Sequence, residues 1–165
     1  MKKYLFLLAL APLAHADDIQ IAMTGNIYAN TCVVDSDSRN LTVDLGQAAA
    51  NTFKDIGDTG AWKTFSLKVT HCPATVMLAT AFFYGQPDSI HPTHFANSGS
   101  AHGLALELAD PQDNILIAPQ ASFNEAINPV DHTATFPLAA RYYATSLPVT
   151  AGTFSSVVQV TFTYQ

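Results

Sequence analysis

Hydrophobic and polar residues alternate along most of the chain, which is the pattern of half-buried β-strands. Phe65, Leu67 and Val69, for example, alternate with polar residues. The same period recurs at Leu104, Leu106 and Leu108, and at Phe136, Leu138, Ala140 and Tyr142. The stretch 75–84 (TVMLATAFFY) is instead almost continuously apolar, which favours a central strand that is covered on both faces.

Turn-forming residues separate these segments. The sequence 110–114 (DPQDN) predicts a hairpin, and the Gly-, Pro-, Asp- and Ser-rich stretches 47–61 and 85–102 predict long loops. Pro137 interrupts a strand pattern, which favours an edge position or a bulge. About seven strands separated by turn signals predict an antiparallel β-sandwich of the immunoglobulin type.

The first sixteen residues have the pattern of a secretory signal peptide. Lys2 and Lys3 precede the apolar stretch 4–13, and small residues follow before Asp17. We therefore predict that residues 1–16 are removed by cleavage before Asp17. A membrane span needs about 20 apolar residues, and no segment reaches that length, so no integral membrane segment is expected.

Composition narrows the class of protein. The 165 residues are 48% hydrophobic and only 12% charged, with a formal net charge of −6, which argues against disorder and against nucleic acid as a partner. The length suits one domain. Export favours a disulfide between Cys32 and Cys72, the only two cysteines, while two free thiols remain the alternative.

Both ends of the exported chain carry strand patterns. Near the start, one face is shared by Ile19, Ile21, Met23 and, in the same register, Gly25. At the other end, one face is shared by Val158, Val160, Phe162 and Tyr164, and the pattern runs to Gln165. These segments are either the first and last strands of a complete sandwich, or the marks of a sandwich that lacks a strand. In the second interpretation the C-terminal strand borders an open groove, and the N-terminal segment fills the groove of another molecule.

Few residues indicate catalysis or metal binding. His91 and His94 lie near Asp88 and His102, but a loop fixes no common face for them, so we predict exposed loop histidines and no metal site. No Gly-x-Ser-x-Gly motif occurs, and the chain has only two glutamates. We predict no catalytic residues and no cofactor.

Several segments, ordered along the whole exported chain, are typical of one protein family. They are the N-terminal segment ending at Gly25, Cys32, 40–46 (NLTVDLG), Cys72-Pro73, 103–108 (GLALEL), 136–142 (FPLAARY), 148–152 (PVTAG) and 162–165 (FTYQ). In this combination the chain resembles bacterial chaperone–usher fimbrial subunits. It is most similar to the minor or adaptor pilins of type 1-like fimbriae.

The resemblance implies an incomplete immunoglobulin-like sandwich that lacks its final strand and is completed in trans by a donor strand. Residues 17–25 would be the donor extension, and residues 26–165 the pilin domain. The implied partners are a periplasmic chaperone, an outer-membrane usher and neighbouring fimbrial subunits. The implied destination is a cell-surface fimbrium that contributes to adhesion.

The resemblance also implies roles for single residues. The donor residues would be Ile19, Ile21, Met23 and Gly25. The strand that pairs with the chaperone and borders the acceptor groove would contain Val158, Val160, Phe162 and Tyr164. The carboxylate of Gln165 would enter a basic cleft of the chaperone.

The alternative hypothesis is a single-domain secreted protein with a complete sandwich that binds carbohydrate. The two hypotheses differ at the termini, because a fimbrial subunit needs residues 17–25 free and its groove open. Trp62 and Tyr84 are candidates for a sugar site, although packing in the core or groove is the favoured interpretation for both.

Overall fold

The computed structural model describes residues 24–25, 31–112 and 115–165. The predicted signal peptide and most of the predicted donor extension lie outside these ranges. Within them the chain forms β1 (Val33–Val34), α1 (Ser36–Arg39), a 3-10 helix (Ala50–Thr52), β2 (Lys63–Thr70), β3 (Leu78–Tyr84), β4 (Phe95–Ala96), β5 (Leu104–Asp110), β6 (Ile115–Leu116), β7 (Ser122–Ala126), β8 (Ala134–Ala144) and β9 (Gln159–Tyr164).

These strands form two antiparallel sheets. The large sheet has the order β1-β2-β8-β5-β4, with β6 paired to β5, and the small sheet has the order β7-β3-β9. The pairing of β5 with β6 confirms the predicted hairpin. The all-β sandwich is likewise confirmed, and the strand number exceeds seven because three short strands contain only two residues each.

The core lies between the two sheets and contains the residues that alternation predicts. Leu67, Val69, Phe136 and Leu138 of the large sheet are buried against Phe83 of the small sheet. The apolar run forms β3, which is central in its sheet, but the strand begins at residue 78 and not at 75.

Pro137 lies in β8, an interior strand of the large sheet, but at a position where only one of the two neighbouring strands is paired with it. It pairs with Ser66 of β2 in an uninterrupted register, so there is no bulge. The pairs between β8 and β5 end at Ala139 and Ala109, so Pro137 has a strand neighbour on one side only. A residue without an amide proton is tolerated where no second strand needs it.

The predicted disulfide between Cys32 and Cys72 is formed, and both cysteines are buried. It joins the residue before β1 to the second residue after β2. Since Val33 pairs with Thr70, the bridge closes the end of a strand pair that already exists. The bridge therefore secures one edge of the large sheet.

Candidate acceptor groove

The C-terminal strand β9 lies at the edge of the small sheet. It pairs with β3 from Tyr84 opposite Gln159 to Ala79 opposite Tyr164. Among the described residues, no strand pairs with its other edge. An edge strand of this kind presents a row of backbone N–H and C=O groups that another strand can bind.

One face of this segment turns toward the core without being fully covered. Alternate residues are half-buried while those between them are exposed, and the alternation begins five residues before β9. The half-buried residues are Phe154, Ser156, Val158, Val160, Phe162 and Tyr164, which we call the inward row. The apolar members of this row pack against the hydrophobic core, and burial raises the pKa of the Tyr164 hydroxyl.

Aromatic contacts connect the inward row to both sheets. The ring of Phe162 lies 5.2 Å from that of Phe136 on β8, measured between centroids. Phe136 in turn contacts Phe123 of β7 at 5.4 Å, and Phe123 stacks on Phe83 of β3 at 5.7 Å. These four aromatic rings extend the core from β3 to the unpaired edge of β9, where Phe162 is half-buried.

Ser156 carries an unsatisfied polar group within the inward row. Its Oγ atom is buried and has no hydrogen-bond partner among the residues that the structure describes. Burying such a hydroxyl without a partner costs about 1–3 kcal/mol. The sequence patterns did not identify this residue, because a serine between apolar residues gives no sign of whether its hydroxyl is paired.

The segment 41–46 is a second unpaired stretch that packs on the same core. Leu45 contacts the core and Val43 is half-buried, while Thr42 and Asp44 are exposed. The segment belongs to no strand in the described part of the chain. Its end is held by Tyr142, whose hydroxyl donates a hydrogen bond to the Gly46 carbonyl at 2.8 Å.

The alternation of Leu41, Val43 and Leu45 is visible in the sequence, so the half-burial of Val43 and Leu45 could have been predicted. Burial, and to a lesser extent the negative charge of Asp44, raises the pKa of the Tyr142 hydroxyl. The hydroxyl therefore stays protonated and able to donate its hydrogen bond at neutral pH.

The last residue is paired with β3. One oxygen of the Gln165 carboxylate accepts hydrogen bonds from Met77 N at 2.7 Å and Leu78 N at 2.9 Å, and Gln165 N donates to the Leu78 carbonyl. The C-terminus therefore lies at a defined position at one end of β9.

The structure describes only one of the predicted donor residues. Ile19, Ile21 and Met23 lie outside the described ranges. Gly25 is exposed, and a side chain at this position would extend into open space. The donor role of these four residues therefore stays a prediction.

The prediction of exposed loop histidines is wrong for His94. This residue is buried, and its ring lies 4.0 Å from that of Tyr143 on β8. Burial is the main cause that lowers its pKa, against the opposing charge of Glu107. His91 packs on the same tyrosine at 5.5 Å. Within the described ranges, no group of three or more His, Cys, Asp or Glu side chains is arranged to hold a metal ion.

Trp62 and Tyr84 do not form a joint site. Trp62 precedes β2 and is 40% exposed, so the prediction that it packs in the core or groove is wrong. Tyr84 ends β3, where it lines a separate cavity of about 450 Å³ with Val157 and Gln159. That cavity adjoins the start of β9.

No helix in the part of the chain that the structure describes is long and apolar enough to cross a membrane.

Comparison with known proteins gives a consistent result. The family model described as "Fimbrial protein" matches residues 21–165. Protein FimG of Escherichia coli K12 is 33% identical over 149 residues, which cover 90% of this chain and 86% of FimG. The S-fimbrial adhesin protein SfaS of Escherichia coli O6:K15:H31 is 34% identical over 151 residues, covering 92% and 88% of the two chains.

A solved structure supports the fold. The P pilus rod subunit PapA superimposes with a TM-score of 0.68 at 18% sequence identity, over 81% of this chain and 99% of PapA. At that identity the likeness concerns the architecture of the two sheets.

Proposed function

This chain belongs to the fimbrial protein family, and from this membership we propose that its open-edged sandwich is completed by a strand from another subunit. The identification made from the sequence segments is confirmed. The protein is a structural subunit of a surface fimbria, and it interacts with other subunits of that fibre. Our proposal concerns how it joins them and assigns it no catalytic role.

The proposal rests on the position of the inward row, which lies beside the edge of β9 that has no paired strand among the described residues. Val160, Phe162 and Tyr164 contact the core but remain half-exposed, while the β9 edge has no strand neighbour in the described ranges. A strand laid along the unpaired edge of β9 would pair with that edge and cover those side chains. This is binding by strand addition, in which backbone bonds give affinity and alternate side chains give specificity.

The free energies of ordering and burying the donor segment show that burial of the acceptor subunit's own surface must also favour binding. Ordering nine donor residues costs about 9–18 kcal/mol. Burying Ile19, Ile21 and Met23 returns about 5–9 kcal/mol, and each ladder hydrogen bond adds about 1 kcal/mol. These terms nearly cancel, so the burial of the half-exposed inward row makes association favourable.

The proposed donor is residues 17–25 of a neighbouring subunit, with Ile19, Ile21 and Met23 entering the groove and Gly25 at the end of the segment. In this arrangement each subunit accepts one strand and donates another. Before assembly, a periplasmic chaperone would occupy the same groove, because an exposed edge over an open core favours aggregation. An outer-membrane usher would then exchange the chaperone for the next subunit, and the Gln165 carboxylate would bind a basic cleft of the chaperone.

The test is the thermal unfolding of residues 26–165 with and without a peptide spanning residues 17–28. We expect poor stability alone and a large rise in Tm with peptide, because binding to the folded state alone stabilises it. The matched control is the same peptide with Ile21→Asp and Met23→Asp, which keeps the backbone bonds but cannot fill the groove. A stable monomer that ignores both peptides would support the complete-sandwich alternative.

Assembly in cells provides the second test. Deletion of residues 17–25 should abolish incorporation into fibres while leaving chaperone capture intact. Phe162→Asp should block chaperone capture, because it places a charge in the inward row. Unchanged incorporation of the deleted chain would contradict the donor role, and normal periplasmic accumulation of Phe162→Asp would contradict the acceptor role.

A further inference from the structure

A second concave site lies on the outer face of the large sheet. Its floor is Ala109 on β5 and Ala139 on β8, whose neighbours Leu108 and Leu138 point into the core. Small floor residues leave a cavity of about 480 Å³. Its walls are formed by Trp62, Thr64, Glu107, Asp110, Pro111, Leu116 and Arg141, and we call it the tryptophan pocket.

Trp62 forms an aromatic wall of this pocket. It is the only tryptophan of the chain and is 40% exposed. The guanidinium of Arg141 lies over its ring at 4.0 Å from the centroid, which fixes the indole by a cation–π contact. The structure thus holds an exposed aromatic surface in place at a concave site.

Polar groups beside the indole are held in fixed positions. Arg141 donates to Glu107 through Nε at 2.6 Å and Nη2 at 3.1 Å, and both side chains are mostly buried, with 23% and 14% exposed. A guanidinium has five N–H donors, and this pair uses two of them. The ion pair therefore still offers donors and acceptors to a ligand without having to rearrange.

Two more polar side chains complete the wall. Asp110 is 4% exposed, and its Oδ1 accepts a hydrogen bond from Gln112 N at 2.8 Å, which leaves Oδ2 without a partner among the described residues. Thr64 is exposed on β2, and no described residue bonds to its hydroxyl. The pocket therefore combines one aromatic surface with several hydrogen-bonding groups of both polarities.

The charges select the class of ligand. Two carboxylates against one guanidinium disfavour an anion. A cation would be repelled by the guanidinium of Arg141, which lies over the indole ring. An apolar ligand would remove Glu107, Asp110 and Arg141 from water without replacing their hydrogen bonds, which is costly. A neutral molecule with many hydroxyls can donate to the carboxylates, accept from the guanidinium and lay its C–H groups on the aromatic surface.

We propose that the tryptophan pocket binds a neutral pyranose sugar. A cavity of this size in which a few polar groups converge beside an aromatic ring is typical of small-ligand sites. The ring would lie against the part of the Trp62 indole that Arg141 leaves exposed, with hydroxyls bonded to Asp110 and Thr64. The pocket is in the large sheet, whereas the open edge of β9 is in the small sheet, so a bound sugar and an inserted donor strand do not compete. This binding does not depend on the assembly mechanism proposed above.

The test uses the exported full chain as it is obtained from the periplasm, together with any chaperone that remains bound. Trp62 emission is followed during titration with the methyl glycosides of mannose, galactose, glucose and N-acetylglucosamine. We expect at least one of them to give a saturable change with a Kd of about 0.1–10 mM. Sorbitol, glucuronate and Nα-acetyl-lysine serve as the acyclic, anionic and cationic comparison ligands. If a tryptophan-containing chaperone remains bound, calorimetry replaces emission.

Two threonines provide a matched pair of variants. Thr64→Ala should weaken glycoside binding about 3- to 10-fold. Thr135→Ala should leave it unchanged, since Thr135 is exposed on β8 in the same sheet but does not line the pocket. Asp110→Asn should weaken binding about 10-fold or more, because hydrogen bonds to charged groups are stronger. Both threonine positions are exposed, so neither variant should prevent folding.

Each outcome either supports or overturns the proposal that the tryptophan pocket binds a sugar. Saturable binding of a glycoside that Thr64→Ala weakens and Thr135→Ala does not would support the proposal. No response to any glycoside, or equal binding by the two threonine variants, would overturn it. A response to Nα-acetyl-lysine with none to the glycosides would also overturn it, and would identify the pocket as a contact for a basic side chain of a protein partner.

Discussion

Strands β8 and β9 have the same alternating pattern but differ in how completely they are covered. In β8, Phe136 and Leu138 are 0% and 1% exposed. In β9, Phe162 and Val160 face the same core but are only half-buried. The first strand lies between β2 and β5, whereas the second has β3 on one side and no partner among the described residues on the other.

The difference shows that an apolar face in the sequence need not be satisfied within its own chain. The side chains of Phe136 and Leu138 pack in the core between the two sheets, so their burial is complete when the domain folds. The β9 side chains still have apolar surface to bury, and that remainder is available for association. Four experiments test this contrast.

Removing one phenyl ring from each strand should have the largest and most unequal effect. Phe136→Ala should lower the free energy of unfolding of the isolated subunit by about 3–5 kcal/mol, because it leaves a closed cavity. Phe162→Ala should cost about half as much, since its site is already partly open to water. Denaturant unfolding measures both. With a donor peptide bound, the two losses should become similar, and equal losses without peptide would contradict the contrast.

The disulfide stabilises the large sheet, which contains β8. Cys72 follows β2, which pairs with β8, and the bridge closes a separation of 40 residues. Replacing both cysteines by alanine should lower the free energy of unfolding by about 2–4 kcal/mol, chiefly through the entropy of the unfolded chain. The control is reductant, which should destabilise the parent chain and leave the double variant unaffected. A double variant as stable as the parent would contradict a structural role for the bridge.

The variant Ser156→Ala tests whether a donor strand supplies a hydrogen-bond partner to the inward row. In the isolated subunit, Ser156→Ala removes an unpaired buried hydroxyl, so the free energy of unfolding should rise by about 1 kcal/mol. In the donor-bound subunit, a hydroxyl that has found a partner would make the same change neutral or unfavourable. Unfolding with and without donor peptide distinguishes these states. The matched control is Ser66→Ala on an exposed position of β2, which should be neutral in both.

The smallest effect concerns the outer face of β8, where His94 covers Tyr143. Burial lowers the pKa of His94 below its usual value of 6.5, against the opposing charges of Glu107 and Asp88. The unfolded chain therefore binds the proton more tightly, so the stability that His94 contributes is present above pH 6.5 and is lost as pH falls through its lower folded pKa.

His94→Gln should therefore reduce the loss of stability between about pH 7.5 and about pH 5, read by thermal unfolding at both values. The exposed His102 provides the matched variant, and His102→Gln should keep the parent's pH dependence. If both variants showed the same pH dependence as the parent, His94 would not be a cause of it.

The sequence predicted the sandwich well and the environment of single side chains less well. Alternation identified the core positions of β2, β5 and β8, because a period of two decides which side chains share a face. It did not show that His94 is buried against Tyr143 or that Trp62 is exposed, since both depend on which distant segments meet. The same limit applies to Ser156, whose lack of a partner is a property of its surroundings.

By itself, the sequence determined the period of each strand, the fold class and the only possible cysteine pair, because each follows from local geometry or simple counting. Only the tertiary structure decided that β9 lies at an edge while β8 lies inside, although their patterns are alike. It alone brought Trp62, Arg141, Glu107 and Asp110 to one cavity. The physical reason is that a strand pattern specifies a face to be covered, whereas the pairing order of the sheets decides what covers it.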